Sequence, residues 1–258
     1  MVQDTWRIWS SGERSRRYGE MLYQRAVGDL PEMESSKAAA KKVAALLRPG
    51  DKVLDVGCGA GHYLTSLRKA VSESFSYTGV DATESYIELA KRAFPADSAV
   101  SFEVGDVYSL PFRDQAFDIV MCNNLLLHLP NLKPALSELY RVTARNVVIR
   151  TLIGNTTYRI QEARSNKIND DGTLSEAHFL NIYSVETVKK MMEELAIPSF
   201  EIEEDKGFDC AKINAERELY PEDGVKTKVI NGLQVGGYVI QPWAFLTLSC
   251  SPGTTRRR

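Results

Sequence analysis

The feature that most constrains this chain is a short apolar strand pattern, Lys52–Val56, that leads directly into three closely spaced glycines. Gly57, Gly59 and Gly61 alternate with small residues, and a helical pattern begins at Tyr63. Glycine allows the left-handed backbone of a sharp turn from strand to helix, and it lets a ligand approach main-chain atoms closely. Turns of this kind at the carboxyl edge of a parallel sheet are typical of nucleotide-binding α/β proteins. The segment therefore predicts an α/β fold with a ligand site at this turn.

The spacing of the glycines separates two classes of cofactor. A dinucleotide fingerprint reads G-x-G-x-x-G/A, so with Gly57 and Gly59 as its first two glycines the third would fall on His62. The third glycine is instead Gly61, and Asp55 precedes the first glycine by two residues. The spacing therefore argues against an NAD-linked oxidoreductase, which we keep as an alternative.

Strand and helix patterns alternate over most of the chain. Strands are predicted at residues 52–56, 77–80, 100–104, 117–122, 146–151, 200–204 and 238–249, and helices at 34–47, 63–70, 85–93, 135–141 and 184–196. The strands are nearly continuous apolar runs, which indicates a parallel sheet covered by helices on both faces. We therefore predict a doubly wound, mostly parallel α/β fold.

Three segments fall outside this alternation: residues 1–34, 154–182 and 205–235. Long irregular segments in a compact domain usually serve as lids or binding loops. We expect residues 1–34 to form a helical lid or anchor on a domain of residues 35–258, and the two insertions to form a binding pocket; surface decoration is the alternative. The first segment is rich in aromatic side chains, which can close a lid or dock a terminal helix. These side chains are Trp6, Trp9, Tyr18 and Tyr23.

Composition excludes several classes of function. The 258 residues are 43% hydrophobic with a formal net charge of −2, so the chain can build a core without structural metal and has no basic surplus to attract nucleic acid. The four cysteines contain no C-x-x-C pair, which argues against a zinc site or a disulfide framework and favours the reducing cytoplasm. No apolar run is long enough to span a membrane, and the N-terminus lacks an apolar signal segment. The sequence leaves the oligomeric state open.

Three further strands of the predicted sheet end in polar residues. Asp81 and Ala82 close the second strand, Asp106 and Val107 follow the third, and Asn123 ends the fourth. Because the carboxyl ends of parallel strands meet at one edge of a sheet, we expect these residues to lie near the glycine turn. A carboxylate such as Asp81 can accept hydrogen bonds from two ribose hydroxyls, although a strand-ending aspartate also serves as a helix cap or turn residue.

The D-x-G-x-G-x-G pattern resembles motif I of the class I S-adenosylmethionine-dependent methyltransferases. The stretch Phe117–Pro130 likewise looks like the F-D-x-V-x-x-x-x-x-L-H-H-L-P segment of the small-molecule methyltransferases (methyltransferase domain 11/25) that include the ubiquinone/menaquinone C-methyltransferases. Leu127 stands where that family has its first histidine, and His128 where it has the second. The resemblance extends over residues 35–204. It implies a Rossmann-like, seven-stranded sheet of order 3-2-1-4-5-7-6 and S-adenosylmethionine as the cofactor, with S-adenosylhomocysteine as the product.

The resemblance also implies roles for the residues at the strand ends. The glycine turn would run under the amino-acid end of the cofactor, and Asp55 would meet its ammonium or orient the turn. Asp81 would bind the ribose, while Asp106 and the main chain of Val107 would bind the adenine. The cofactor-binding residues expected on this basis are Asp55, Gly57, Cys58, Gly59, Gly61, Asp81, Ala82, Asp106, Val107 and Asn123.

Methyl transfer needs in-line positioning of the acceptor, and it needs a base only where the acceptor must lose a proton. His128 is the candidate catalytic base because it lies on the loop after the fourth strand, although a lone histidine can equally be structural. His62 and His178 are weaker candidates. The residues that could orient an acceptor are Tyr158, Arg159, His178 and Tyr183.

The loop after the fourth strand also bears on the acceptor. Asn123–Leu126 does not match the [N/D/S]-P-P-[Y/F] stretch of enzymes that methylate exocyclic amines of bases, and the chain has no Pro-Cys pair for cytosine C5 chemistry. Without a basic patch as well, we expect a small-molecule acceptor and no nucleic-acid partner. Because the loop carries no unmistakable base, a non-catalytic S-adenosylmethionine-binding protein is a further alternative.

Overall fold

The structure is a computed structural model that describes residues 12–163, 168–172, 177–206, 227–236 and 239–250. The helices are α1 (Gly12–Val27), α2 (Glu34–Ala44), α3 (His62–Ala70), α4 (Glu84–Ala93), α5 (Leu132–Val142) and α6 (Val185–Glu194), with a short 3₁₀ helix at Leu126–His128. The strands are β1 (Lys52–Val56), β2 (Ser76–Asp81), β3 (Val100–Val104), β4 (Phe117–Asn123), β5 (Thr143–Gly154), β6 (Tyr158–Ala163), β7 (Ala177–Ser184), β8 (Ser199–Glu204), β9 (Thr227–Ile230), β10 (Leu233–Gly236), β11 (Val239–Ile240) and β12 (Trp243–Ser249). The predicted helices, and the predicted strands up to β8, coincide with these elements to within a few residues.

The central sheet has the strand order β3-β2-β1-β4-β5-β12-β8, which confirms the predicted order with β8 and β12 as its sixth and seventh strands. The first five strands run parallel, and β12 is antiparallel to both of its neighbours. The carboxyl ends of the parallel strands therefore lie along one edge, and the chain order reverses there between β1 and β4. This is the position at which doubly wound sheets bind their ligands.

Apolar cores form on both faces of this sheet. On one face α2, α3 and α4 pack against Ile119 and Met121 of β4, and on the other face α5 and α6 pack against Val120 and Cys122. All four side chains are fully buried. Burying an isoleucine or methionine in this way stabilises the fold by about 2 kcal/mol relative to leaving it in water. The continuous apolar run of β4 therefore reflects burial on two faces rather than one.

The segment predicted as an irregular insertion at 154–182 contains a β-hairpin. β5 extends to Gly154, β6 and β7 pair antiparallel, and β7 also pairs parallel with the end of β5 at Ile153. The prediction of irregular structure is therefore wrong for the residues of β6 and β7. Their short alternating patterns become stable strands because β7 pairs with β5, and strand formation depends on such long-range packing more than on local preference.

The single strand predicted at 238–249 is also wrong, because Pro242 interrupts it. β11 ends at Ile240 and belongs to a separate three-stranded sheet with β9 and β10, whereas β12 begins at Trp243 in the central sheet. Proline has no backbone N–H to donate to a sheet, which explains the break. The predicted insertion at 205–235 contains β9 and β10, and its residues 207–226 lie outside the described residues.

The N-terminal segment contains the expected helix, α1, which packs on α3 and α4. The Thr65 hydroxyl donates to the carbonyl of Ala26 at 2.7 Å, and the Tyr86 hydroxyl donates to the carbonyl of Ser15 at 3.1 Å. Trp6 and Trp9 lie outside the described residues. Among the helices that the structure describes, none is both long and apolar enough to cross a membrane.

Candidate functional site

The glycine turn after β1 adopts the backbone that its sequence predicts. The φ angles of Gly57, Gly59 and Gly61 are 81°, 54° and 83°, in the left-handed region where side chains are disfavoured. A Cβ atom on Gly59 would lie 2.7 Å from Leu22 Cδ1 of α1, and one on Gly57 would lie 3.1 Å from Leu125 Cδ2. Glycine is therefore required here both by the backbone and by the side chains packed against it.

Asp81 holds the glycine turn in place. Its carboxylate accepts hydrogen bonds from the backbone N–H of Gly59 at 3.0 Å and of Thr83 at 2.8 Å. The second bond is the turn-capping role that a strand-ending aspartate can take, and each oxygen keeps a further lone pair for a ligand. Ala82 follows at the same edge. Cys58, in the middle of the turn, points into the core, where burial raises the pKa of its thiol, so only its backbone faces the site.

Asp55 is a buried acid at the end of β1, directly before the turn. The Tyr77 hydroxyl donates to its Oδ2 atom at 2.6 Å, and its Oδ1 atom has no hydrogen-bond partner among the described residues. Burial raises the pKa of Asp55 to about 7, against the lowering effect of the Tyr77 bond and with the charge of Asp81 adding to the rise. The carboxyl group is therefore ready to lose its proton near neutral pH.

Asp106 ends β3 in the next position along the edge. Its side chain accepts from the N–H of Tyr108 at 2.9 Å, and its carbonyl accepts from the N–H of Ser109 at 3.0 Å. This is the Asx-type turn that the sequence left open as an alternative to ligand binding. Val107, next in the chain, is buried.

Two asparagines end β4, and their environments differ. Asn123 is 4% exposed, and neither its Oδ1 nor its Nδ2 atom has a hydrogen-bond partner among the described residues. Asn124 has a left-handed backbone with φ of 57°, and its N–H donates to the carbonyl of Arg150 at 2.9 Å. Buried amide groups are nearly always hydrogen-bonded, so these unused groups of Asn123 are an exception among the buried side chains.

The structure contains a buried polar network beside Asn123, and its members are not among the site residues predicted from the sequence. Arg150 of β5 is 3% exposed, donates from Nε to Asp205 Oδ2 at 2.7 Å and from Nη1 to Asn124 Oδ1 at 2.7 Å, and stacks on the Trp243 ring at 4.0 Å. Asn124 Nδ2 in turn donates to the Tyr63 hydroxyl at 3.2 Å. The one signal in the sequence is a charged residue inside an apolar strand, which rarely occurs without a partner.

His128 and His178 lie next to one another, with ring centroids 5.7 Å apart. His128 Nδ1 lies 2.8 Å from the carbonyl oxygen of Phe179, and a carbonyl can only accept, so Nδ1 carries the proton. This bond fixes the tautomer in which Nε2 of a neutral His128 has the lone pair. The structure thus brings together two of the histidines singled out in the sequence, from the 3₁₀ helix and from β7.

The remaining acceptor candidates have different surroundings. Tyr183 is buried, and its hydroxyl donates to the carbonyl of Leu126 at 3.3 Å, so it supports the 3₁₀ helix. Tyr158 is exposed, and the exposed Arg159 stacks over the Phe179 ring at 4.3 Å. Arg159 therefore lies near the residue whose carbonyl orients His128.

His62 and the cysteines offer no alternative centre. Burial, followed by the charge of Arg25, lowers the pKa of His62 to about 3, so it stays neutral at physiological pH. Cys58 and Cys122 are free, buried thiols. Within the described part of the chain, no group of three or more His, Cys, Asp or Glu side chains could hold a metal ion.

Comparison with known proteins agrees with this arrangement. A sequence model of the family described as "Methyltransferase domain" matches residues 54–150, which run from β1 to β5. Over 135 residues the chain is 33% identical to an uncharacterized 37.1 kDa protein in transposon TN4556 of Streptomyces fradiae, covering 49% of this chain and 39% of that protein. Over 96 residues it is 38% identical to the demethylmenaquinone methyltransferase of Staphylococcus aureus, covering 37% of this chain and 40% of that enzyme. The chain thus matches about two fifths of the length of these curated relatives.

Solved structures resemble the fold over much more of the chain. A S-adenosylmethionine-dependent methyltransferase from Aquifex aeolicus matches with a TM-score of 0.52 at 18% identity, over 93% of this chain and 98% of that one. The phosphoethanolamine N-methyltransferase 2 of Haemonchus contortus, solved in complex with S-adenosyl-L-methionine, matches with a TM-score of 0.57 at 14% identity, over 83% of this chain and 51% of that one. At these identities the likeness concerns the fold alone. Residues 54–150 thus match a methyltransferase domain, and the strand order and the glycine turn agree with that match.

Proposed function

We propose that this protein transfers the methyl group of S-adenosylmethionine to a small-molecule acceptor by in-line displacement, releasing S-adenosylhomocysteine. The observation that carries the proposal is the pair of buried, unused polar groups, Asp55 Oδ1 and Asn123, beside the glycine turn. Buried groups of this kind normally have partners, and a cofactor with an ammonium and polar amino-acid end would supply them. The residues at the strand ends therefore fit the group that the family binds.

The bound cofactor would supply an electrophilic methyl group on a sulfonium. On the protein side, Asp55 would accept from the ammonium and Asp81 from the ribose hydroxyls. Asp106 and the N–H of Val107 would contact the adenine. The other expected contacts come from the turn, the end of β2 and the end of β4: Gly57, Cys58, Gly59, Gly61, Ala82 and Asn123.

His128 would take a proton from the acceptor where the reaction releases one. The Nδ1–H bond to the Phe179 carbonyl holds the ring and leaves the lone pair on Nε2, the form that a general base requires. His178 lies beside it, and Arg159 and Tyr158, on the strand paired with that of His178, would contact the acceptor. Tyr183 would contribute by supporting the 3₁₀ helix.

A small acceptor is supported by the Staphylococcus aureus relative, whose name gives demethylmenaquinone as its substrate. The net charge of −2 also gives no general attraction to nucleic acid. Residues 1–34 would act as a lid or anchor over residues 35–258, and the two insertions would line the acceptor pocket. A cytoplasmic location is part of the same proposal.

The test is calorimetric titration with S-adenosylhomocysteine and with NADH, followed by incubation with labelled S-adenosylmethionine and extracts of small metabolites. We expect tight binding of S-adenosylhomocysteine, none of NADH, and a labelled small product. Binding of S-adenosylhomocysteine without a labelled product from any extract would contradict a transferase and indicate a cofactor-binding protein. Tight NADH binding without S-adenosylhomocysteine binding would indicate an oxidoreductase.

The role of His128 has its own test once a product is found. We expect His128→Ala to lower kcat by about 100-fold or more while S-adenosylhomocysteine affinity stays unchanged, because a general base typically contributes at least this factor. A His128→Ala variant with full turnover would exclude the catalytic role.

A further inference from the structure

Unused hydrogen-bond donors remain on β4 and β5, at the edge that carries the glycine turn. Asn123 and Arg150 are direct register partners, so their side chains extend on the same face of the sheet. Asn123 has no hydrogen-bond partner at either amide atom among the described residues. The side-chain hydrogen bonds of Arg150 to described residues come from Nε and Nη1 and leave Nη2 unused. Their exposed fractions are only 4% and 3%. A ligand group that reaches both would meet one amide and one guanidinium nitrogen.

The guanidinium of Arg150 is held in one orientation. Asp205 binds its Nε atom, Asn124 binds Nη1, and the Trp243 ring covers its face. These contacts come from three directions and leave Nη2 as the remaining nitrogen. A cation fixed in this way has lost its rotamer freedom before any ligand binds, which favours affinity.

Asp55 lies on the same face of the sheet, on the other side of Asn123. β1 pairs with β4, and Asp55 is in register with Met121, two residues before Asn123. A carboxyl group, a carboxamide and a guanidinium thus follow one another over β1, β4 and β5, on strands about 4.8 Å apart. An α-amino acid carries an ammonium and a carboxylate on one carbon, and this order of charges matches it.

We propose that Arg150, with Asn123 beside it, binds the carboxylate at the amino-acid end of S-adenosylmethionine, while Asp55 faces the ammonium. The inference rests on the proposed function and adds to it a cation that the glycine motif does not contain. Arginine suits the task because its guanidinium N–H groups donate charge-assisted hydrogen bonds to carboxylates. Asp205 binds the guanidinium at Nε and compensates its charge within the fold.

The test compares two ligands that differ only in the carboxylate. S-adenosylhomocysteine has it, and S-adenosyl-3-thiopropylamine lacks it but keeps the amine and the nucleoside. In the double variant Arg150→Met/Asp205→Asn, which leaves no buried charge unpaired, we expect the calorimetric Kd for S-adenosylhomocysteine to rise by about 10- to 100-fold. The Kd for the amine should change by less than about 2-fold. Equal losses for both ligands, or no loss for either, would overturn the proposal.

Asp205→Asn alone is the matched control, because it removes the ion pair but keeps the guanidinium. It should discriminate between the two ligands as the wild type does, and loss of that discrimination would contradict a direct role for Arg150. Asn123→Asp is a second variant in case the double variant does not fold. A carboxylate at position 123 should repel the carboxylate of S-adenosylhomocysteine, so the Kd for this ligand should rise by about 10-fold or more relative to the Kd for the amine. An unchanged ratio of the two Kd values would overturn the proposal. A wild-type protein that binds neither ligand would contradict the proposed function instead.

Discussion

At the scale of single residues, two buried aspartates of this protein have pKa values shifted in opposite directions by their surroundings. Asp55 is buried beside the glycine turn, and burial raises its pKa to about 7. Asp51 is also buried, but the hydrogen bonds from the Arg145 side chain and the Arg48 backbone, and the charge of Arg145, outweigh burial and lower its pKa. Folding therefore favours the protonated form of Asp55 and the ionised form of Asp51.

Asp55→Asn should change how stability depends on pH. Folded Asp55 holds its proton up to about pH 7, whereas the unfolded chain releases it near pH 4. Since the native state binds more protons in that interval, Asp55 makes the free energy of unfolding fall, by up to about 4 kcal/mol, as the pH rises from 4 to 7. Urea unfolding of wild type and variant at several pH values should show that the difference between their free energies of unfolding, wild type minus variant, falls by this amount over the interval.

Asp51→Asn is the control with the opposite sign. The lowered pKa of Asp51 gives a contribution that is present above pH 4 and is lost as the pH falls further. The variant should therefore be less stable than wild type near pH 7 and approach it in acid. If both variants change in parallel with pH, the burial of Asp55 does not control its ionisation.

At the scale of secondary-structure elements, the hairpin β6–β7 positions the 3₁₀ helix that carries His128. Asn181 Nδ2 donates to the carbonyl of Leu129 at 2.8 Å, and the Tyr183 hydroxyl donates to the carbonyl of Leu126 at 3.3 Å. In return His128 donates to the Phe179 carbonyl. The 3₁₀ helix thus depends on a strand about fifty residues further along the chain.

Removing these bonds should destabilise the protein by different amounts. Asn181→Ala leaves a buried carbonyl without its donor and should lower the free energy of unfolding by about 1–3 kcal/mol. Tyr183→Phe removes a longer bond and should lower it by about 0.5–1.5 kcal/mol. Urea unfolding measures both. A Tyr183→Phe variant less stable than Asn181→Ala would mean that the Tyr183 hydroxyl, and not the Asn181 carboxamide, is the stronger support of the 3₁₀ helix.

The contact between α1 and the glycine turn gives a second prediction at this scale. Gly59→Ala places a Cβ atom 2.7 Å from Leu22 Cδ1 at a φ of 54°, so we expect a loss of about 1–3 kcal/mol. Gly28 also has a positive φ, of 92°, but a Cβ atom there would have no neighbouring atom within 4 Å. Gly28→Ala therefore measures the cost of the backbone conformation alone. In the background Leu22→Ala the Gly59→Ala loss should approach that of Gly28→Ala. An unchanged loss in this background would show that Leu22 does not crowd the turn.

At the scale of the whole molecule, β12 and β8 complete the sheet and connect the C-terminal half of the chain to the edge that carries the glycine turn. β12 pairs antiparallel with β5 and places Phe245 in register with Arg150. The Asp205–Arg150 ion pair then joins the residue after β8 to β5, with both side chains buried. The far end of the chain thereby fixes a guanidinium beside residues of β4.

Breaking this ion pair on one side should be costly. Asp205→Ala leaves the Arg150 charge buried without its partner, and we expect a loss of about 3–5 kcal/mol in the free energy of unfolding. Arg150→Met/Asp205→Asn should lose clearly less, since no charge stays unpaired. Glu194→Gln removes the exposed pair with Lys133 and should leave stability unchanged within error. Equal losses in the single and double variants would show that the charge of Arg150 is compensated elsewhere.

The sequence by itself determined the α/β class and the edge where its polar residues meet, and its resemblance to the methyltransferases implied the order of the sheet. The class and the edge follow from local patterns: apolar runs buried on two faces, glycines that must adopt positive φ, and aspartates that end consecutive strands. Only the tertiary structure decided the rest. The hairpin, the break at Pro242, the pairing of His128 with His178 and the network around Arg150 all join residues far apart in the chain. Their partners are set by which surfaces pack together, and a local pattern carries no record of that packing.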